Sequence, residues 1–79
     1  MVMLPINPYL CVICQLLSER RMSVRSLALR AGITPSTLYG LYRRNSEPSV
    51  KLAQKVCYAL GIRLSEYVRI VESEKERRI

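Results

Sequence analysis

Between Ser23 and Leu38 the chain reads SVRSLALRAGITPSTL, and the four residues Gly32-Ile33-Thr34-Pro35 in its middle restrict the fold more than any other stretch. Leu27, Ala28 and Ala31 recur at helical spacing before them, and Leu38 and Leu41 follow at the same spacing. Glycine supplies the left-handed backbone that ends a helix. Threonine is a natural N-cap, and proline suits the first helical position, where its missing N–H is not needed. Two helices, capped by Ser23 and Thr34 and ending near Arg30 and Arg44, are therefore joined by only about three residues.

The same punctuation organises the rest. A first helix is expected after Pro8, with Asn7 as N-cap, ending near Arg20 or Arg21. Its Leu10, Ile13, Cys14 and Leu17 share one face toward the core, while Tyr9, Val12 and Leu16 form a second apolar face. That surplus has two uses open to it: packing under the C-terminal segment, or a dimer or partner contact together with Ile70. In the third helix Leu38, Leu41 and Tyr42 point inward, leaving Ser36, Thr37, Tyr39, Gly40, Arg43 and Arg44 outward. After an Asn45 to Pro48 loop, Ser49 caps a fourth helix with Leu52, Ala53, Val56 and Leu60 inside and Cys57 at the flank. Gly61 closes it, and Ser65 is expected to open a fifth with Tyr67, Val68 and Val71 on one side. Its extension EKERRI places Glu74 four residues before Arg78 and should fray unless a partner holds it. Strand-like alternation is weak and no repeat is found. The expectation is one compact all-α domain of five helices over residues 1–79, with a core at about 9–68 and a helical extension at 69–79.

Charge gives the first indication of a partner. Thirteen Lys and Arg stand against six Asp and Glu, a net +7, and ten of the cations are arginines. Residues 1–68 carry +6 of this and residues 69–79 only +1, so the excess belongs to the body of the domain. A planar guanidinium grips two phosphate oxygens at once, which favours a polyanion over the plainer reading of a basic surface kept for solubility.

Several chemistries are excluded. With no histidine in the chain, the commonest general base, the Ser-His and Cys-His pairs and every His-dependent metal site are missing, so neither an enzyme nor a bound cofactor or metal is expected. Cys11 and Cys14 form a lone C-V-I-C with Cys57 far away, too few for a four-thiolate zinc site. They read as free thiols of a reducing cytosol. A redox sensor built on Cys11 and Cys14 is disfavoured, because residues three apart on one helix would strain a disulfide. The start MVMLPINPYLCVICQLL lacks the basic residue and cleavage site of a secretion signal, and Leu10 to Leu17 is far short of the ~20 residues of a membrane span. A cytoplasmic protein without membrane contact is expected.

A short helix, a tight glycine turn and a second helix with a polar outer face make a helix-turn-helix, in which the second helix enters the DNA major groove. The chain resembles the Cro and lambda-repressor (Xre-type) family of bacterial and phage regulators from Leu16 to Val68. Two segments carry the likeness: LLSERRMSVRSLALRAGITPSTLYGL and NSEPSVKLAQKVCYALGIRLSEYV. The resemblance implies a lambda-repressor-like five-helix fold with the reading pair at 24–31 and 35–44, a double-stranded DNA partner, and a homodimer on a near-palindromic operator. It places base-facing positions at Pro35, Ser36, Thr37, Tyr39 and Gly40. Phosphate contacts fall on Arg25 and Ser26 and on Arg43, Arg44 and Asn45.

Departures from the family pattern bear on readout. Val24 stands where a glutamine often braces the reading helix, and Leu17 and Tyr42 stand where many members pair a buried arginine with a glutamate. Losing both partners together leaves no unpaired buried charge. Pro35, Ser36 and Gly40 cannot make the bidentate base contacts of longer amides and arginine, so direct readout looks thin. A second use of the fold is therefore weighed beside DNA binding: a module that binds another regulator through the apolar first helix and the C-terminal helix.

Overall fold

The computed structural model describes residues 6–78, so the apolar start at 1–5 and the terminal Ile79 lie outside the described residues. Five helices follow in order: α1 (Pro8–Glu19), α2 (Val24–Ala31), α3 (Pro35–Arg44), α4 (Val50–Leu60) and α5 (Leu64–Arg77). No strand occurs among the described residues. α2 packs on α3 and α4, α4 meets α5, and α5 lies along α1. The all-α five-helix expectation holds.

Local chemistry explains the boundaries. Asn7, Ser23 and Ser49 each accept a backbone N–H three residues on, from Leu10, Ser26 and Leu52, at 3.0, 3.0 and 3.2 Å. These bonds satisfy amides that have no partner within the helix. At the other ends, Met22, Ile33, Ser46 and Ile62 donate their N–H groups back to Leu17, Ala28, Leu41 and Cys57. Each such ending needs one residue with positive φ, supplied by Arg21, Gly32, Asn45 and Gly61. Arg20 adds a cation at the end of α1 that also reaches α4, where its Nε donates to the Leu60 carbonyl at 3.1 Å.

Two expectations at helix starts are corrected. α5 begins at Leu64 rather than after Ser65: Arg63 is extended, and its carbonyl accepts the Tyr67 N–H at 3.0 Å. Ser65 thus lies inside the first turn. Thr34 does occupy the N-cap position of α3, yet its side chain makes no backbone cap bond.

The core corrects others. Val12 and Leu16, expected as part of a partner face, are 0% and 6% exposed and belong to the same cluster as Leu10, Ile13 and Leu17. α5 provides the physical reason, since it covers the second face of α1 with Tyr67 and Val71, and Tyr9 and Ile70 are half-buried against the cluster. Of the two uses open to that surplus, packing within the chain is the observed one. Cys14 faces solvent instead of the core, and Val68 is 43% exposed, off the inward face that carries Tyr67 and Val71.

The C-terminal extension is tied down. Glu74 pairs with Arg77 and Arg78, and Arg78 donates to the Ile6 carbonyl at 2.6 Å. Lys75 donates to the Tyr9 hydroxyl at 3.3 Å and to Glu72 at 3.4 Å, and its ammonium sits 5.0 Å from the centre of the Tyr9 ring. The hydrogen bond to Tyr9 is the main cause that raises the Lys75 pKa. The frayed end expected from sequence is instead ordered helix to Arg77.

Burial pushes the Cys57 thiol up to about 11 and the Tyr67 and Tyr42 hydroxyls above their ordinary range. A folded state that holds a proton more tightly than the unfolded chain loses stability as pH rises through the interval between the two pKa values. With no histidine to titrate, stability should show no histidine-linked step between about pH 6 and 8. It should then fall by about 1 kcal/mol between about pH 9 and 10 from Cys57 alone. Urea midpoints across that range check this. A Cys57→Ala chain should show a shallower decline, and an equal decline would remove Cys57 as its source.

Candidate nucleic-acid interface

α2 and α3 stand on the surface as a pair, joined through Gly32, whose φ is 74°. Leu27, Ala28, Leu38 and Leu41 fix their inner sides in the core. The outer side of α3 follows from helical periodicity: with Leu38 and Leu41 inward, Ser36, Tyr39, Gly40 and Arg43 project the other way, flanked by Thr37 and Arg44.

At its N-terminal end three hydroxyls gather. The Thr34 hydroxyl shares hydrogen bonds with those of Thr37 and Ser36, at 2.8 and 3.2 Å. The Thr37 N–H, which a capping side chain would have taken, goes to the Thr34 carbonyl at 3.0 Å. Ser36 and Thr37 are exposed, Pro35 is half-buried, and Tyr39 is 48% exposed. Gly40 departs from expectation, because it is buried. Apart from its chain neighbours and the backbone of α3, the three heavy atoms nearest to where its side chain would begin all belong to the Arg44 guanidinium.

The phosphate set divides as well. Arg25, Ser26, Arg43 and Arg44 are exposed. Asn45, expected beside them, serves the fold. Its Oδ1 accepts the Asn7 N–H at 2.8 Å, and its carbonyl accepts from Asn7 Nδ2 at 3.0 Å. One asparagine thus caps α1 while clasping the left-handed residue that ends α3. Replacing Asn7 by Ala should lower stability by about 1–2 kcal/mol, since a cap and a cross-element bond are lost together. Asn7→Asp, which keeps the cap acceptor but loses the amide donor to Asn45, should lose less; a melting curve for Asn7→Asp equal to that of the parent would contradict the clasp.

The side of α3 that faces α1 is held by Tyr42. Its hydroxyl donates to the Leu10 carbonyl and accepts from Cys14, both at 3.3 Å. Where the family pattern suggested an ion pair, this chain therefore uses a half-buried phenol. Burial, first, and the Cys14 contact, second, keep that phenol protonated far beyond the ordinary range.

Electrostatics sharpen the picture. Glu47 is the only acidic residue between Arg20 and Ser65. Among the described residues the ion pairs involve Arg20, Lys75, Arg77 and Arg78, and none involves Arg25, Arg30, Arg43, Arg44, Lys51 or Lys55. The cations on and beside the helix pair are thus not neutralised by the fold.

The family model for the Cro/C1-type helix-turn-helix DNA-binding domain matches residues 13–73. The chain belongs to that family. Comparison with curated proteins and with solved structures gives no match. The Cro/C1-type match spans both α2 and α3 and ends inside α5, one residue before Glu74, whose carboxylate accepts from Gln15 of α1. As a Cro/C1-type domain the chain is a DNA-binding module, in a family that is normally non-enzymatic. Among its described residues no helix is long and apolar enough to cross a membrane, and no cluster of three or more candidate ligands is placed to hold a metal.

Sequence reasoning missed the Asn7–Asn45 clasp and the cover over Gly40. Asn45 carried a usable signal for the first, since asparagine tolerates the left-handed conformation that ends a helix.

Proposed function

We propose that the chain is a sequence-specific transcriptional regulator that sets α3 in the major groove of an operator, with α2 crossing the phosphate backbone. The observation that supports this best is the set of cations on the helix pair and α4 that appear in no ion pair among the described residues. Charge that the fold does not consume is free to meet phosphate, and it surrounds a helix whose exposed face carries hydroxyls and Tyr39. Ser36, Thr37 and Tyr39 then meet base edges, thymine methyl groups or the sugar-phosphate chain. Arg25, Ser26 and Arg43 hold the backbone.

Two copies on a near-palindromic site would fit this geometry. Their contact must use a surface other than Val12 and Leu16, which lie in the core of a single chain. The alternative, a module that binds another regulator through α1 and α5, keeps the thin direct readout in its favour but loses the surplus apolar surface, because those faces pack on each other. A DNA partner also supports a cytoplasmic location.

Selection from a random duplex pool at low salt, using the full chain, tests the reading. Enrichment of a near-palindrome with half-sites one helical turn apart is expected. Failure to retain any duplex at low salt would reject the regulator, and enrichment of a single unpaired half-site would reject the pair.

A further inference from the structure

The packing of Arg44 on Gly40 points to a base-reading role for Arg44, which we infer to recognise a guanine in the major groove from a seat on the middle of α3. This rests on the DNA-binding reading above and adds the residue that the thin hydroxyl face lacks.

Arg44 lies one turn beyond Gly40 on the same side of α3, and helical side chains lean toward the N-terminus of their helix. Here that lean is complete. A Cβ built on Gly40 would stand 3.1 Å from Arg44 Nη1 and 3.7 Å from both Cζ and Nη2. Any side chain at position 40 would claim the space that the guanidinium occupies. Glycine in the middle of a helix is otherwise unfavourable, and its φ here is not positive, so no backbone requirement accounts for it. What it provides is a seat. Among the described residues no carboxylate pairs with Arg44, so the guanidinium keeps its donors for a ligand.

The consequence is positional. From its place in the sequence Arg44 belongs to the end of α3, where it would meet a flanking phosphate. Folded over Gly40, its planar fork instead lies on the groove-facing side within a turn of Ser36, nearer the end of the helix that enters the groove. A guanidinium there matches the O6 and N7 acceptors of guanine, the commonest specific contact of arginine with DNA.

Selection and titration with the full chain and three variants test this. Arg44→Ala should erase the preference for guanine at one position of the half-site, by about 5- to 150-fold, while leaving preferences elsewhere. Arg43→Ala should weaken all duplexes alike and keep that preference. Gly40→Ala displaces only the far end of a flexible side chain, so it should fold and should reduce the preference at the same base pair. Uniform weakening by Arg44→Ala, with the salt dependence lowered by about one phosphate contact, would overturn the role while leaving the regulator intact. An unchanged preference in Gly40→Ala would overturn the seat, and absence of duplex binding by the parent chain would overturn both readings.

Discussion

Truncating Tyr67 to alanine is expected to remove about 3–5 kcal/mol of the stability of the chain. Tyr67 is 1% exposed, sits where α5 covers α1, and donates its hydroxyl to the Tyr9 carbonyl at 2.9 Å. Removing a buried aromatic ring costs about 3–5 kcal/mol through lost burial and the cavity left behind. A chain of 79 residues has a net stability of only about 4–12 kcal/mol on the usual per-residue scale, so the loss is a large part of the whole. Tyr67→Phe separates the two contributions, because it keeps the ring and gives up one hydrogen bond, about 1 kcal/mol. Val68→Ala serves as the neighbour control, since Val68 is 43% exposed and should move stability by less than about 0.5 kcal/mol. Urea unfolding followed by helical circular dichroism reads all three. A Tyr67→Ala chain within about 1 kcal/mol of the parent would mean that α5 is not part of the cooperative core.

That control also marks where the sequence stops being legible. Tyr67, Val68 and Val71 look equivalent as apolar letters on one helix, and only the position of α1 decides that Val68 is left outside. Helix limits were readable wherever a cap is a local matter, as at Asn7, Ser23, Ser49, Gly32 and Gly61, because the capping partner lies within a few residues. They failed at Ser65, where the chain enters helix two residues early, at half-buried Leu64. Val12 and Leu16 show the same limit at larger scale. Their apolar character was plain, but whether a second chain or α5 would cover them depends on tertiary packing that no local pattern encodes. In the candidate interface, the exposed hydroxyls and arginines follow from periodicity alone. The fold of Arg44 onto Gly40 does not, since a long side chain has many rotamers and the choice among them belongs to its surroundings.

Raising salt should weaken DNA binding steeply, and the slope should count the arginines involved. Each phosphate contact displaces condensed counterions, so log K falls against log salt by about 0.9 per contact on duplex DNA. With about four cations at phosphates, affinity should drop roughly 150-fold between about 50 and 200 mM salt. Arg25 and Arg43 are the strongest candidates, being exposed at the start of α2 and near the end of α3 and taking part in no ion pair among the described residues. Removing one of them should cut the drop to about 40-fold, and Arg25→Ala/Arg43→Ala together to about 12-fold. Arg77 and Arg78 are the internal comparison, because Glu74 already engages both and a cation held by a carboxylate has less to gain from phosphate. Replacing Arg77 by Ala should therefore leave the slope within error of the parent. If the slope were unchanged by the loss of Arg25 and Arg43 but reduced by the loss of Arg77, the surface that meets DNA would lie on α5, and α3 would not be the helix in the groove.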